Sequence, residues 1–172
     1  MKKFIVSFFA FALAAGVHAA DDFTDWSVHM DIAVPGYNSP ETLTNFPLLV
    51  RLPATATQLM LPGGDDLRFA DSADNMLPRE IEMWDTNGVT TVWVRVPRLA
   101  SGTTLRAYWG NPLATAPTDG ANVWAGYVGV WHMNQPNNAS HFLDSSPNAL
   151  HGVRTGGTAP ATEASLSLVR FA

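Results

Sequence analysis

The chain has 172 residues, a formal net charge of −5 and no cysteine. The lack of cysteine excludes a disulfide framework and thiolate metal sites, and an acidic chain without a basic cluster argues against nucleic acid and anionic lipid as partners. A chain of this length fits one domain, or one domain and part of another.

The first 19 residues have the features of a secretory signal peptide. Lys2 and Lys3 give a basic start, residues 4–15 form an apolar run, and Val17-His18-Ala19 is a small-residue cleavage pattern. The apolar run is too short for a stable membrane span, and no second run is long enough. We therefore expect cleavage after Ala19, a periplasmic or secreted location and no membrane span in the mature chain.

Short alternating segments fill the chain from the leader to residue 75. In residues 26–34 apolar side chains alternate with polar ones such as His29 and Asp31, which is typical of a half-buried strand. Clusters of Pro, Gly, Asn and Ser separate the segments. The predicted elements are a strand at 26–34, a loop at 35–45, a strand at 46–52, a helical turn at 55–60, a turn at 61–66, a short strand at 67–70 and a turn at 71–75.

Residues 77–109 carry the strongest fold signal in the sequence. The pattern predicts strands at 80–84, 90–97 and 103–109, and Asn87-Gly88 is a strong hairpin turn signal between the first two. In the second strand the valines face one way, and Trp93 and Arg95 face the other. We interpret the three strands as one antiparallel meander.

Frequent turns and the lack of an amphipathic helix predict an all-β fold. We expect an antiparallel β-sandwich, jelly-roll-like, over residues 22–112. Residues 113–125 have the Pro-, Thr- and Ala-rich composition of a linker. Residues 126–172 are interpreted as the incomplete start of a second β-sandwich.

Four short motifs occur together in this chain: DLRF at 66–69, EIEMWD at 80–85, VWVRVP at 92–97 and YWGNP at 108–112. As an ordered set they resemble a bacterial domain of unknown function with the pattern D-L-R-F, y-E-i-E-x-W, V-W-V-K-V-P and Y-Y-G-N-P. Arg95 stands where lysine is common in that pattern, and Trp109 where tyrosine is common. The resemblance covers about residues 24–115.

That resemblance has implications for domain context. Such domains are often followed by a concanavalin A-like lectin/glucanase (LamG-like) domain, and residues 130–133 and 144–152 resemble the opening of one. Some members continue into a membrane proton-channel module of the MotA/TolQ/ExbB type. The resemblance implies a binding module of the envelope or of a secreted protein, and it brings no established catalytic residues.

Aromatic residues are the best candidates for ligand binding. An exposed tryptophan on a β-sandwich can stack against the apolar face of a sugar ring. Trp84 and Trp93 lie opposite the aliphatic faces of their predicted strands, so they are the candidate aromatic platform. The alternative is that the other sheet or a loop covers them, and Arg95 or Arg106 could instead stack on Trp93.

Glu80 and Glu82 raise an enzymatic alternative. Two residues apart on a strand, they share a face at roughly 7 Å, near the separations used in glycoside hydrolysis. We favour a solvent-facing strand, with Ile81 and Met83 inward.

Metal-binding signals are weak. Four aspartates offer oxygen atoms for calcium, but their positions fit turns better; they are Asp65, Asp66, Asp71 and Asp74. Three histidines lack the spacing of common zinc sites; they are His132, His141 and His151.

The sequence therefore predicts an exported, non-catalytic β-sandwich module of a bacterial envelope or secreted protein. Its expected work is binding or assembly, with glycan or envelope proteins as partners, and no cofactor is expected. One alternative is a glycan hydrolase that uses Glu80 and Glu82. The other is a structural extracytoplasmic domain of a proton-channel assembly for biopolymer transport.

Overall fold

The structure is a computed structural model that describes residues 22–135 and 141–153, together with the backbone of two short strands, Ala161–Thr162 and Val169–Arg170. The predicted signal peptide lies outside the described residues, as does most of the chain after residue 153. No helix in the described part is long and apolar enough to cross a membrane.

Strands dominate the described part of the chain, and the few helical segments are short. The strands are β1 Val28–Ala33, β2 Leu43–Pro53, β3 Arg68–Ala70, β4 Met76–Leu77, β5 Arg79–Met83, β6 Val89–Leu99, β7 Thr104–Trp109, β8 His141–Phe142, β9 Gly152–Val153, β10 Ala161–Thr162 and β11 Val169–Arg170. The helical segments are α1 Ala54–Thr57 and two 3-10 helices, Pro62–Gly64 and Gly120–Trp124.

Two antiparallel sheets pack face to face. One has the strand order β1-β7-β3-β4, and the other has the order β2-β6-β5. The core lies between them, where Phe69 and Leu105 of the first sheet meet Leu52, Val92 and Val94 of the second, all of them buried. The predicted all-β antiparallel sandwich is confirmed, and the jelly-roll-like order stays a prediction.

The predicted three-stranded meander is wrong in its third strand. β5 and β6 pair across the Asn-Gly turn as expected, but β7 pairs with β1 and β3 in the opposite sheet. Between β6 and β7 the chain turns at Gly102, whose φ of +79° is a conformation that glycine adopts without strain. Leu105, Ala107 and Trp109 are buried, because β7 faces β6 across the core and does not pair with it.

A second change of sheet occurs at Pro78. Leu77 pairs with Phe69 in the first sheet, and Arg79 pairs with Val94 in the second. Arg79 is buried at this crossing; its Nη2 donates to the carbonyl of Gly64 at 2.6 Å and its Nε to another carbonyl nearby. Burial lowers the pKa of Arg79 to about 10. On this side the chain itself joins the two sheets.

The opposite side of the sandwich is open. β1 and β2 are the edge strands of their sheets, and a groove between them is lined by residues 30–35 and 48–53. Pro47 and Pro53 of β2 lack an N–H group, which suits an edge position. One side of the sandwich is therefore closed by the chain at Pro78, and the other side is open. The candidate site described below lies on neither side but on the outer face of β5 and β6.

Asp66 of the DLRF motif joins three parts of the fold. Its carboxylate accepts hydrogen bonds from the backbone N–H of Leu61 at 2.8 Å and of Gly110 at 2.7 Å. Its backbone carbonyl accepts from Trp26 Nε1 at 2.6 Å. Gly110 has a φ of +88°, and a Cβ there would lie 2.5 Å from Ser27 Oγ. These contacts of Asp66 tie the DLRF motif to the residues that flank β1 and β7.

Candidate functional site

The outer face of the β5–β6 hairpin carries the polar residues that the sequence singled out. Glu80 lies opposite Trp93 in the register of the two strands, and Ile81 lies opposite Val92 on the core side. The expectation that Glu80 and Glu82 face solvent is wrong, because their side chains are only 23% and 14% exposed. The chain after residue 119 covers them.

The first part of this cover is the 3-10 helix Gly120–Trp124. Val123 and Trp124 are buried, and the Trp124 ring meets the edge of the Trp93 ring at a centroid distance of 5.3 Å. A Cβ at Gly120 would lie 3.4 Å from the carbonyl oxygen of Arg79, so this helix approaches β5 closely. Part of the segment predicted as a linker, residues 113–125, is therefore packed on the sandwich.

His132 lies between the two carboxylates. Its Nδ1 is 2.7 Å from Glu82 Oε2, and its Nε2 is 3.3 Å from Glu80 Oε2. Burial alone would lower the pKa of His132, but the hydrogen bonds and charges of the two glutamates raise it to about 9. The imidazole is therefore a cation at neutral pH. We call Glu80, His132 and Glu82 the Glu–His–Glu cluster.

Further donors fill the remaining carboxylate oxygens. Ser145 Oγ donates to Glu80 Oε1 at 2.6 Å, and Trp124 Nε1 donates to Glu80 Oε2. Trp93 Nε1 donates to Glu82 Oε2 at 3.1 Å, and Asn134 Nδ2 to Glu82 Oε1 at 3.4 Å. Every oxygen of the two carboxylates accepts at least one hydrogen bond.

These bonds set the charge state of the cluster. Burial alone would raise the pKa of Glu80, but hydrogen bonds from His132, Ser145 and Trp124 outweigh it and lower the pKa. Burial likewise opposes ionisation of Glu82, but the hydrogen bond and charge of His132 outweigh it and lower that pKa as well. Both glutamates are therefore carboxylates at neutral pH.

Asp144 holds Ser145 in position. Its carboxylate accepts hydrogen bonds from the backbone N–H groups of Val130, Ser146 and Leu150 and from the Ser146 hydroxyl, at 2.7 to 2.8 Å. Ser145 N donates to the carbonyl of Val130 at 2.8 Å. Burial opposes ionisation of Asp144, but these donors hold its pKa well below the usual range. A rigid turn thus presents the Ser145 hydroxyl to the cluster.

The cluster is an ion triad in which one imidazolium lies between two carboxylates, so one negative charge is not balanced within it. Glycoside hydrolysis needs one carboxylic acid with a raised pKa beside a carboxylate, whereas both carboxyl groups here have lowered pKa values. Among the residues that the structure describes, no group of three or more His, Cys, Asp or Glu could hold a metal ion. The arrangement fastens residues 120–135 and 141–146 onto the β5–β6 face.

The two tryptophans of the predicted platform lie apart. Trp93 is half-buried in the cluster, between Glu82 and Trp124. Trp84 lies over Gly64, where a Cβ would come within 2.6 Å of Trp84 Cζ3. A register shift after Ile81 accounts for this, since it breaks the alternation of side chains along β5. The same shift leaves Met83 exposed, although it was expected to point inward.

The aspartates that were considered for calcium, and expected to form turns, accept hydrogen bonds within the chain. Asp71 Oδ1 accepts from the backbone N–H groups of Ala73 and Asn75, at 2.8 and 3.0 Å. Asp74 Oδ1 accepts from the Tyr108 hydroxyl at 2.6 Å. The other two histidines lie outside the cluster: His141 is exposed in β8, and His151 Nδ1 accepts from Asp144 N at 3.1 Å.

Comparison with known proteins supports part of the predicted resemblance, because the match overlaps residues 24–115 only from residue 63 onward. Residues 63–146, just under half of the chain, match the model of a domain of unknown function (DUF2341). No curated protein and no solved structure matches the chain. The matched region runs from the 3-10 helix at Pro62–Gly64 to the Asp144 turn, so it contains the whole Glu–His–Glu cluster and crosses the predicted divisions at residues 112 and 125. The lectin-like and proton-channel contexts stay predictions.

Proposed function

We propose that this chain is an exported, non-catalytic β-sandwich module of a bacterial envelope or secreted protein, and that it binds carbohydrate. The observation that carries the proposal is the charge state and hydrogen bonding of the Glu–His–Glu cluster. Both carboxyl groups accept hydrogen bonds from in-chain donors and face a cation, so neither is the carboxylic acid that would protonate a leaving group. The cluster therefore serves as a fastening between two parts of a binding scaffold.

The surface next to this fastening supports a binding role. Residues 127–153 include several large apolar side chains that are exposed, among them Tyr127, Trp131 and Leu150. Exposed aromatic side chains close together on a rigid support are a common way to bind sugars, because a sugar ring has an apolar face. Export follows from the N-terminal basic and apolar segments, with Ala20 as the expected first residue of the mature protein.

A direct test combines binding and hydrolysis on the same purified protein. We expect retardation on native gels that contain soluble glucan, xylan or mannan, with no release of reducing ends after prolonged incubation. Release of reducing ends that disappears in a Glu82→Gln variant would establish the hydrolase alternative. A folded protein that binds none of the polysaccharides would overturn the carbohydrate proposal.

Export is tested separately by expression of the whole chain in a bacterium. We expect the protein in the periplasm or the medium, with an N-terminus at Ala20 by intact-mass measurement. Retention of the complete N-terminus in the cytoplasm would contradict this part of the proposal.

A second candidate function is assembly with an envelope protein, and the open side of the sandwich favours it. An added strand could pair with an edge strand beside the groove between β1 and β2. Because the chain has no cysteine, a single cysteine in place of the exposed Arg51 would allow site-specific cross-linking in cells. A discrete cross-linked partner at this position, absent with cysteine at exposed Leu113, would support assembly; no product at either site would contradict it.

A further inference from the structure

An open depression lies beside the Asp144 turn, away from the carboxylates of the Glu–His–Glu cluster. Its volume is about 550 Å³, and its lining residues are Gly126, Tyr127, Val128, Asn148 and Leu150. This size is typical of small-molecule sites. None of the lining side chains is charged, so the depression suits a neutral ligand.

The depression is held in shape by its own hydrogen bonds and by contact with Trp124, which also bonds to the cluster. Asn148 Nδ2 donates to the carbonyls of Tyr127 and Val128, at 3.0 Å each. Tyr127 N donates to the carbonyl of Trp124 at 2.9 Å, and the Tyr127 ring stands at 90° to the Trp124 ring at 5.7 Å. A site that is already rigid loses little conformational entropy when it binds.

One aromatic ring, that of Tyr127, lines the depression, and a second, that of Trp131, lies next to the lining residue Leu150. The Tyr127 side chain is 44% exposed, and the Trp131 side chain is 42% exposed. Trp131 lies over Gly129, where a Cβ would come within 2.4 Å of its ring, and its Nε1 donates to the carbonyl of Leu150 at 3.0 Å. Both rings are therefore fixed on one side and open to solvent on the other.

We propose that this depression is a binding site for a neutral glycan, with the Tyr127 ring stacked on a sugar ring, Trp131 on a neighbouring one, and the Asn148 side-chain carbonyl as an acceptor for a sugar hydroxyl. Both described hydrogen bonds of the Asn148 side chain use Nδ2, so Oδ1 keeps its acceptor capacity among the described residues. The inference rests on the proposed carbohydrate-binding function and places that function away from Trp84 and Trp93.

The test uses pairs of matched variants in the whole purified protein. Tyr127→Ala removes the ring, and Tyr127→Phe keeps it. Val128→Glu puts a charged side chain into the depression at a position that is 77% exposed, and Leu113→Glu makes the same change at a position that is 89% exposed and does not line the depression. Thermal unfolding of each variant checks that it is folded.

We expect a loss of at least about tenfold in affinity for the bound polysaccharide with Tyr127→Ala and Val128→Glu, and less than about threefold with Tyr127→Phe and Leu113→Glu. If the wild-type protein binds a glycan and Tyr127→Ala and Val128→Glu bind it equally well, the site is wrong and the proposed function stands. If the folded wild-type protein binds no neutral glycan, the proposed function fails and this inference fails with it.

Discussion

His132 holds together two carboxylates that would otherwise repel each other in a half-buried site. Removal of one partner leaves like charges without a counter-charge, which is strongly destabilising where water is excluded. We expect His132→Gln to lower the free energy of unfolding by about 2 kcal/mol, which is less than for a fully buried pair because the side chains keep some exposure. Urea denaturation near neutral pH measures this difference.

A matched control is His29→Gln, since His29 is exposed on β1. We expect this variant to change the free energy of unfolding by less than about 0.5 kcal/mol. Equal stability of the two variants would mean that the Glu–His–Glu cluster contributes nothing to the fold, and the fastening role would have to be abandoned.

At the residue scale, only the two glutamates of this cluster could be placed together from the sequence. Glu80 and Glu82 are two apart on a strand, so period-2 alternation placed them on one face. Their partner His132 is 52 residues from Glu80, and alternation carries no information about contacts at that distance. The one available signal was a histidine within the apolar stretch at 126–133, because a histidine in such a stretch needs a hydrogen-bonding partner.

At the element scale, the 3-10 helix Pro62–Gly64 depends on a glycine for two separate reasons. Gly64 has a φ of +73°, and a Cβ there would meet Trp84 at 2.6 Å and Ile81 at 3.0 Å. Gly102 has a similar φ of +79°, with nothing within 4 Å of its Cβ position. An alanine at position 102 therefore introduces backbone strain alone, whereas an alanine at position 64 introduces the same strain together with steric overlap.

We expect Gly102→Ala to cost about 1 kcal/mol, from left-handed backbone strain alone. Gly64→Ala should cost about 3 kcal/mol, because overpacking against Trp84 adds to the same strain. Denaturation midpoints of the two variants, with tryptophan fluorescence as the probe, measure both costs. Equal costs would show that Trp84 moves aside freely and is not fixed over Gly64.

Elements with clear alternation could be predicted, and their assignment to sheets could not. β1 and β6 were expected from period 2 and β2 from an apolar run between turns, and β6 buries Val92, Val94 and Val96. β7 also has a strand pattern, but two strands joined by a short turn can either pair or cross to the other sheet. The crossing is decided by which faces become buried, and that depends on strands distant in the sequence.

At the scale of the whole molecule, the fold consists of a sandwich and a covering segment, residues 120–135 and 141–146, on the outer face of β5 and β6. The core of the sandwich is apolar and does not titrate. The covering segment packs on this face through Val123 and Trp124, but it is also held by the ionised side chains of His132, Glu80 and Glu82. Attachment of the covering segment, and with it the position of Tyr127 and Asn148, should therefore respond to pH more than the sandwich does.

The direction of that response follows from the pKa values. The pKa of His132 rises to about 9 in the folded protein from 6.5, so its contribution to stability is fully present below about pH 6.5 and is lost as the pH rises through about 9. The pKa values of Glu80 and Glu82 are lowered from 4.5, so their contribution is present above about pH 4.5 and is lost as the pH falls further.

The difference in free energy of unfolding between wild type and His132→Gln should therefore be largest between about pH 4.5 and 6.5 and should nearly vanish near pH 10. Urea denaturation of both proteins at about pH 3, 5.5, 7.5 and 10 measures it, and the subtraction removes groups that titrate alike in the two proteins. A difference that stays constant from pH 5.5 to pH 10 would mean that His132 acts through packing and not through charge, since a neutral imidazole would then stabilise the two carboxylates as well as an imidazolium does.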